Sequence, residues 1–192
     1  MKRMVVLCFL MMCLSLFGCR TAADVSKKIC EQYQTPIEAT IQVSALSGVA
    51  CDFQLDCTVG KEESVVTIAK PESLAGLKAV IQSNMCSIQY EDLMLDSLMV
   101  PMRGMTPMDC FDQTIFILRN EIPVSYGYEK KNGKESLCLT FQGEVSGYAY
   151  TRVFWLEERS FKLLEGEYYL DGILVMRMSV EDITFTETSS AE

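Results

Sequence analysis

Two early stretches of the chain alternate strictly between apolar and polar residues. In residues 37–43 the apolar positions are Ile37, Ala39, Ile41 and Val43, separated by Glu38, Thr40 and Gln42. Cys51–Val59 repeats the scheme, with Cys51, Phe53, Leu55, Cys57 and Val59 set against Asp52, Gln54, Asp56 and Thr58. A period of two puts each apolar set on one face of a strand, as in an antiparallel sheet buried on one side. The turns then predict register. A loop at residues 47–49 sets Val43 against Phe53 and Ile41 against Leu55. A two-residue loop at Gly60-Lys61 pairs Val59 with Glu62, Leu55 with Val66 and Phe53 with Ile68. Asn132-Gly133 predicts a hairpin pairing Tyr128 with Leu137, Tyr126 with Leu139 and Val124 with Phe141. Asp171-Gly172 predicts another, with Phe161, Leu163 and Tyr169 on the side of Leu174, Met176, Met178 and Val180. A one-residue slip would turn any of these sets to water, so register is strongly specified.

Elsewhere the period lengthens. Val25, Ile29 and Tyr33 recur every fourth residue, predicting a short amphipathic helix that ends before Pro36. Between the two strand blocks, Pro71 introduces a helical turn over 71–76, and strands are expected near 77–81 and 87–92. Residues 101–107 are irregular and flanked by methionines, among them Met99, Met102, Met105 and Met108. A helix is expected over 106–120, with Pro107 and Asp109 at its N-terminus. The methionines serve either as adaptable core filler or as a movable cover over an apolar groove.

The N-terminus follows neither period. Lys2 and Arg3 precede an apolar run from Met4 to Phe17 broken only by Ser15, and Leu16-Phe17-Gly18-Cys19 closes it. This is the layout of a secretory signal. Its end resembles a bacterial lipobox, which implies cleavage after residue 18 and a diacylglycerol on Cys19. The expected organisation is a signal at 1–18, a tether at 19–26, one domain at 27–185 and a disordered tail at 186–192. Two acyl chains anchor stably at about 0.8 kcal/mol per buried methylene. The expected place is the extracytoplasmic face of the cell membrane.

Removing residues 1–18 takes two of the 17 cations, so the remaining charge is 15 − 26 = −11. An acidic domain is a poor ligand for nucleic acid. The chain has no histidine, which excludes Ser-His-Asp and Cys-His nucleophile pairs and a His-ligated zinc site. The adjacent carboxylates Glu62-Glu63, Glu157-Glu158 and Glu181-Asp182 point to opposite faces or to solvent. No catalytic residue, metal site or cofactor is expected. Beyond the signal and Cys19, six cysteines remain: Cys30, Cys51, Cys57, Cys86, Cys110 and Cys138. Cys51 and Cys57 lie on one strand about 20 Å apart, too far to bridge. The other pairings stay open, beside the reading that these thiols are small buried hydrophobes.

Two segments carry a family likeness. The first is Lys70-Pro-Glu-Ser-Leu-Ala-Gly-Leu followed by Ile88-Gln-Tyr-Glu-Asp-Leu. The second is Val153-Phe-Trp-Leu-Glu-Glu-Arg-Ser-Phe-Lys followed by Glu167-Tyr-Tyr-Leu-Asp-Gly. With the layout of 37–185 they resemble the LolA-like half-barrel lipoproteins. That resemblance implies an α+β fold, mainly antiparallel β: a strongly curved sheet, an N-terminal helix and a helical insert as lid. It also implies an apolar groove, lined here by Ile41, Val43, Phe53, Leu55, Val66, Ile68, Met102, Met105 and Met108. Within the group, the chain is most similar to the germination lipoproteins of the GerS set in clostridial spore-formers. That implies a non-catalytic protein acting through a partner, specifically a cell-wall amidase in spore-cortex modification. The alternative is a carrier that holds acyl chains of a lipid or lipoprotein in the groove.

Overall fold

The computed structural model of the chain describes residues 22–48, 50–82, 85–98 and 103–186. Helix α1 (Ala22–Tyr33) precedes β1 (Ile37–Ala45), β2 (Cys51–Val59) and β3 (Ser64–Lys70), and a 3-10 turn at Glu72–Leu74 follows. Then come β4 (Lys78–Gln82), β5 (Met85–Tyr90), β6 (Leu93–Leu98) and helix α2 (Cys110–Asn120). The chain finishes with β7 (Ser125–Lys131), β8 (Lys134–Val145), β9 (Tyr148–Glu157), β10 (Leu163–Leu170) and β11 (Ile173–Phe185). Among the described residues, eleven strands form one antiparallel sheet in the order β6-β5-β4-β3-β2-β1-β11-β10-β9-β8-β7. The first and last strands pair in the middle, and the two edges, β6 and β7, are consecutive in sequence. The chain must therefore cross from one edge to the other, and α2 lies on that crossing. This is the mainly antiparallel α+β half-barrel with an N-terminal helix and a helical insert.

Much of the register follows the turn arithmetic. Val43 pairs with Phe53 and Ile41 with Leu55. Tyr128 pairs with Leu137 and Tyr126 with Leu139. Asn132 and Gly133 have φ of 50° and 79°, and Asp171 and Gly172 have 48° and 78°, the two left-handed residues that a tight hairpin requires. Ser146 and Gly147 (53° and 83°) make a third turn of the same kind.

The structure corrects several expectations of strand and helix bounds and register. The β2–β3 connection is a four-residue loop, closed by the Gly60 N–H donating to the Glu63 carbonyl at 2.9 Å. Val59 therefore faces Ser64, Cys57 faces Val66, and Leu55, not Phe53, faces Ile68. A shift of two residues leaves every side chain on its face, so alternation alone cannot detect it. Val124 precedes β7 and is 61% exposed. A bulge near Tyr168 and Tyr169 brings Tyr168 opposite Met176 and Gly166 opposite Met178, so Tyr168, not Tyr169, joins the methionines of β11 in the core. The strand expected at 87–92 ends at Tyr90 as part of β5, turns at Glu91 with φ 51°, and is followed by β6, a strand not expected from the sequence. The helix expected from residue 106 begins at Cys110, after turns.

The core lies between the sheet and the two helices. Val25, Ile29 and Tyr33 are 3%, 2% and 0% exposed, as their spacing implies. The helix starts at Ala22, so residues 22–26, read as tether, are helical and already place Val25 in the core. From α2, Phe111, Ile115, Ile117 and Leu118 are buried with Leu137, Leu139, Phe141 and Phe154 of β8 and β9. The Thr186 N–H donates to the Pro36 carbonyl at 2.9 Å. Cys19, the signal segment, Met102 and residues 187–192 lie outside the described residues.

Candidate functional site

The described residues among those expected to line a groove come together beneath the helices. Ile41, Val43 and Leu55 are 0% exposed, Val66 is 1% and Ile68 is 4%. Phe53, Met105 and Met108 are half-buried against the same cluster. The structure therefore shows this interior covered, with α2 as the cover.

Three ties hold α2 down, and each uses a polar side chain that alternation did not single out. Near its start, the Thr114 hydroxyl lies 2.6 Å from the Tyr168 hydroxyl and donates to the Cys110 carbonyl at 2.7 Å. In its first turn, the Asp112 carboxylate accepts from the Ser64 hydroxyl at 2.6 Å, and burial raises its pKa. At its end, Arg119 donates to three carbonyls: Nε to Tyr33 at 2.6 Å, one terminal nitrogen to Gly60 at 3.0 Å and the other to Thr35 at 3.1 Å. Carbonyls at the end of α1 have no helical partner of their own, so one guanidinium fastens α1, the β2–β3 loop and α2 together.

The approach to α2 is held differently. Asp109, expected as a favourable charge at the helix N-terminus, turns its carboxylate back on the loop. It accepts from the Gly104 N–H at 2.7 Å, the Thr106 N–H at 3.0 Å and the Thr106 hydroxyl at 2.6 Å. Gly104 has φ 77°, and a Cβ there would sit 2.7 Å from Gln113 and 3.5 Å from the Arg152 guanidinium. Glycine is required at this point. Arg152 itself is on β9, opposite Phe141 and Tyr168, and is 5% exposed. It donates to the Arg103 carbonyl and lies 4.5 Å over the Tyr150 ring. Among the described residues its Nε has no partner, nor do Arg103 Nε and Gln113 Oε1.

A polar cleft of about 790 Å³ opens beside this loop, lined by Lys61, Glu62, Glu63, Arg103, Asp112 and Arg119 among others. Four of these groups are engaged with the protein itself: Arg119 and Asp112 as above, Arg103 at 3.6 Å from Asp112, and Glu63 as acceptor from the Gln82 amide. On the opposite face of the sheet, Lys131 lies 3.8 Å over the Trp155 ring and 3.1 Å from Glu165, and Arg177 pairs with Glu167 at 3.0 Å. This network spans β7, β9, β10 and β11. Glu181 accepts from Gln42 and Gln54. Among the described residues, no three His, Cys, Asp or Glu side chains converge as metal ligands, and no helix is long and apolar enough to cross a membrane.

The six cysteines from Cys30 to Cys138 are all free thiols. Burial raises the pKa of Cys57 and Cys110, and pushes Cys138 up to about 11 from 9.0. Burial also raises Tyr33 and Tyr168. These groups stay protonated in the fold where the unfolded chain would ionise. For Cys138 the stabilisation is complete below pH 9 and is lost as pH rises through about 11, and for the other four, raised by their burial, the loss starts at their own unfolded values and continues further up. The urea midpoint is expected to fall between pH 9 and 11; a midpoint that holds or rises there contradicts this burial.

The edges of the sheet differ sharply. β7 ends in Glu129-Lys130-Lys131, and Lys130 pairs with Glu135 of β8 at 3.3 Å. Charged ends of this kind blunt an edge against pairing. β6 reads Leu93-Met94-Leu95-Asp96-Ser97-Leu98. Leu93, Met94 and Leu95 are 74%, 65% and 66% exposed, so apolar side chains stand out on both faces of a terminal strand. It carries no cation.

No protein-family model matches the chain, and neither does any curated protein. Solved structures do match. An uncharacterized conserved protein from Thermus thermophilus has 15% identity and a TM-score of 0.55, over 86% of this chain and 88% of that one. A domain described as outer membrane lipoprotein-sorting, from Vibrio parahaemolyticus, has 14% identity and a TM-score of 0.49, over 87% and 92%. A LolA superfamily protein from Nitrosomonas europaea has 13% identity and a TM-score of 0.43, over 88% and 95%. The Thermus match establishes a common fold.

Proposed function

We propose that this chain is a non-catalytic, extracytoplasmic lipoprotein that docks a protein partner on the β6 edge. The observation that carries the reading is that edge itself: a terminal strand with three largely exposed apolar residues and no blunting cation. An extended segment of a partner adds to such an edge through main-chain hydrogen bonds, with alternate side chains giving specificity. The sequence resemblance to the GerS set supports a cell-wall amidase as that partner, and the lipobox-like end supports attachment through Cys19. A photo-crosslinking residue placed at Leu95 is expected to capture a wall amidase in the producing cells, and one placed at Tyr128, beside the blunted edge, is not. Equal capture at the two positions, or none at Leu95, contradicts the reading. In the same cells Cys19→Ala is expected to release the domain from the membrane fraction; full retention sinks the anchor.

A second reading, an acyl-chain carrier, is favoured by the buried and partly unpartnered Arg152 at the border of the covered apolar interior.

A further inference from the structure

A half-barrel that served only as a packed scaffold would fill its interior with apolar side chains. Arg152 departs from that. Its parity on β9 places it on the same face as Phe154, and its strand partners Phe141 and Tyr168 are buried aromatics. It is 5% exposed, and among the described residues no carboxylate lies within ion-pair distance of its guanidinium. The nearest loop carboxylate, Asp109, is occupied by Gly104 and Thr106. Among the described residues the Arg152 guanidinium donates to the Arg103 carbonyl, and its Nε has no partner. A buried charge left without a counter-charge is strongly unfavourable, and native proteins retain one where it serves a purpose.

Two further groups gather at the same point. Gln113 is 8% exposed, and Arg103 lies 3.6 Å from Asp112; among the described residues Gln113 Oε1 and the buried Arg103 Nε have no partner. Gly104 sits between Gln113 and Arg152, as the 2.7 and 3.5 Å approaches of a Cβ there would show. A carboxylate or phosphate oxygen can take the place of the Arg103 carbonyl as acceptor, and can reach Nε as well. That two-pronged, charge-assisted contact suits a guanidinium better than one backbone carbonyl does. Immediately below lie the apolar residues of the interior, with Met105 and Met108 at its margin.

We infer that Arg152, assisted by Arg103, is the anion subsite of an acyl-chain site, so that the ligand is an amphipath with an anionic head and its chain in the interior. This rests on the carrier reading. The head is a carboxylate or a phosphate monoester, whose shared chemistry is a pair of anionic oxygens.

The test is calorimetric titration of the delipidated full chain at neutral pH with three probes below their micelle concentrations: oleate, oleoyl lysophosphatidate and methyl oleate. Either acid is expected to bind about tenfold or more tighter than the ester, the scale of a charge-assisted contact. Arg152→Leu is expected to remove that preference while leaving the ester within twofold, and Arg152→Lys to retain part of it. Binding by oleate alone or lysophosphatidate alone supports the subsite and identifies the head. Equal binding of acid and ester overturns the subsite and leaves the carrier reading standing, as does an unchanged preference in Arg152→Leu. Binding of none of the three overturns the carrier reading and the subsite together. Should Arg152→Leu fail to fold, the acid-to-ester ratio of the native chain decides.

Discussion

Truncating Phe154 to alanine is expected to destabilise the domain by about 4 kcal/mol, at the upper end of core truncations. Phe154 is 0% exposed. Its ring lies 5.5 Å from that of Phe141 and 6.0 Å from that of Tyr168. A Cβ on Gly166 would meet it at 3.3 Å, so β10 has already come as close as its backbone allows. The neighbours cannot collapse far into the space left behind, and an uncollapsed cavity adds its own cost to the lost burial. Urea unfolding measures the change; a midpoint shift with unchanged slope assigns it to stability. A loss under about 1 kcal/mol would mean the β9 face is assigned the wrong way round.

Arg119→Met is expected to cost about 3 kcal/mol, because hydrogen bonds to a charged group contribute about 1.5–3 kcal/mol and three carbonyls lose their donor. The methionine keeps much of the apolar stem, so the loss reports on the guanidinium. Arg119→Lys is expected to recover only part, since one ammonium cannot hold the fork of Tyr33, Gly60 and Thr35 at 2.6, 3.0 and 3.1 Å. The same substitution is expected to speed hydrogen exchange in both α1 and α2, which meet through this side chain. Exchange confined to α2 would show that α1 is held by its apolar face alone.

Alternation made the central strands legible. β1 and β2 present one apolar face, and pairs such as Ile41 with Leu55 are where turn counting puts them. Alternation fails where neither face is polar. Leu93-Met94-Leu95 is apolar throughout, so no period marks β6 as a strand, and it is there that docking is proposed. The run Val153-Phe154-Trp155-Leu156 hides parity in the same way. Had Phe154 been recognised as inward, Arg152 two residues earlier would have stood out as an inward cation. Tyr168-Tyr169 offers an identical residue on each face, and only the bulge decides which enters the core. The apolar residues of β1, β2 and β3 were legible as one buried set because they share a face. Their covering by α2 was not, because it depends on Thr114, Asp112 and Arg119 finding partners far away in sequence.

The two functional readings lie at different places on one fold, the β6 edge and the interior beneath α2. The docking edge is the central claim, and it is tested most directly by the native mass of the protein gently extracted from its own membranes. The wild-type chain is expected to carry a second polypeptide in fixed stoichiometry, and Leu95→Lys, which places a charge on the free edge without touching the core, is expected to appear alone. A wild-type chain that appears alone, or the same complex in both, would contradict it.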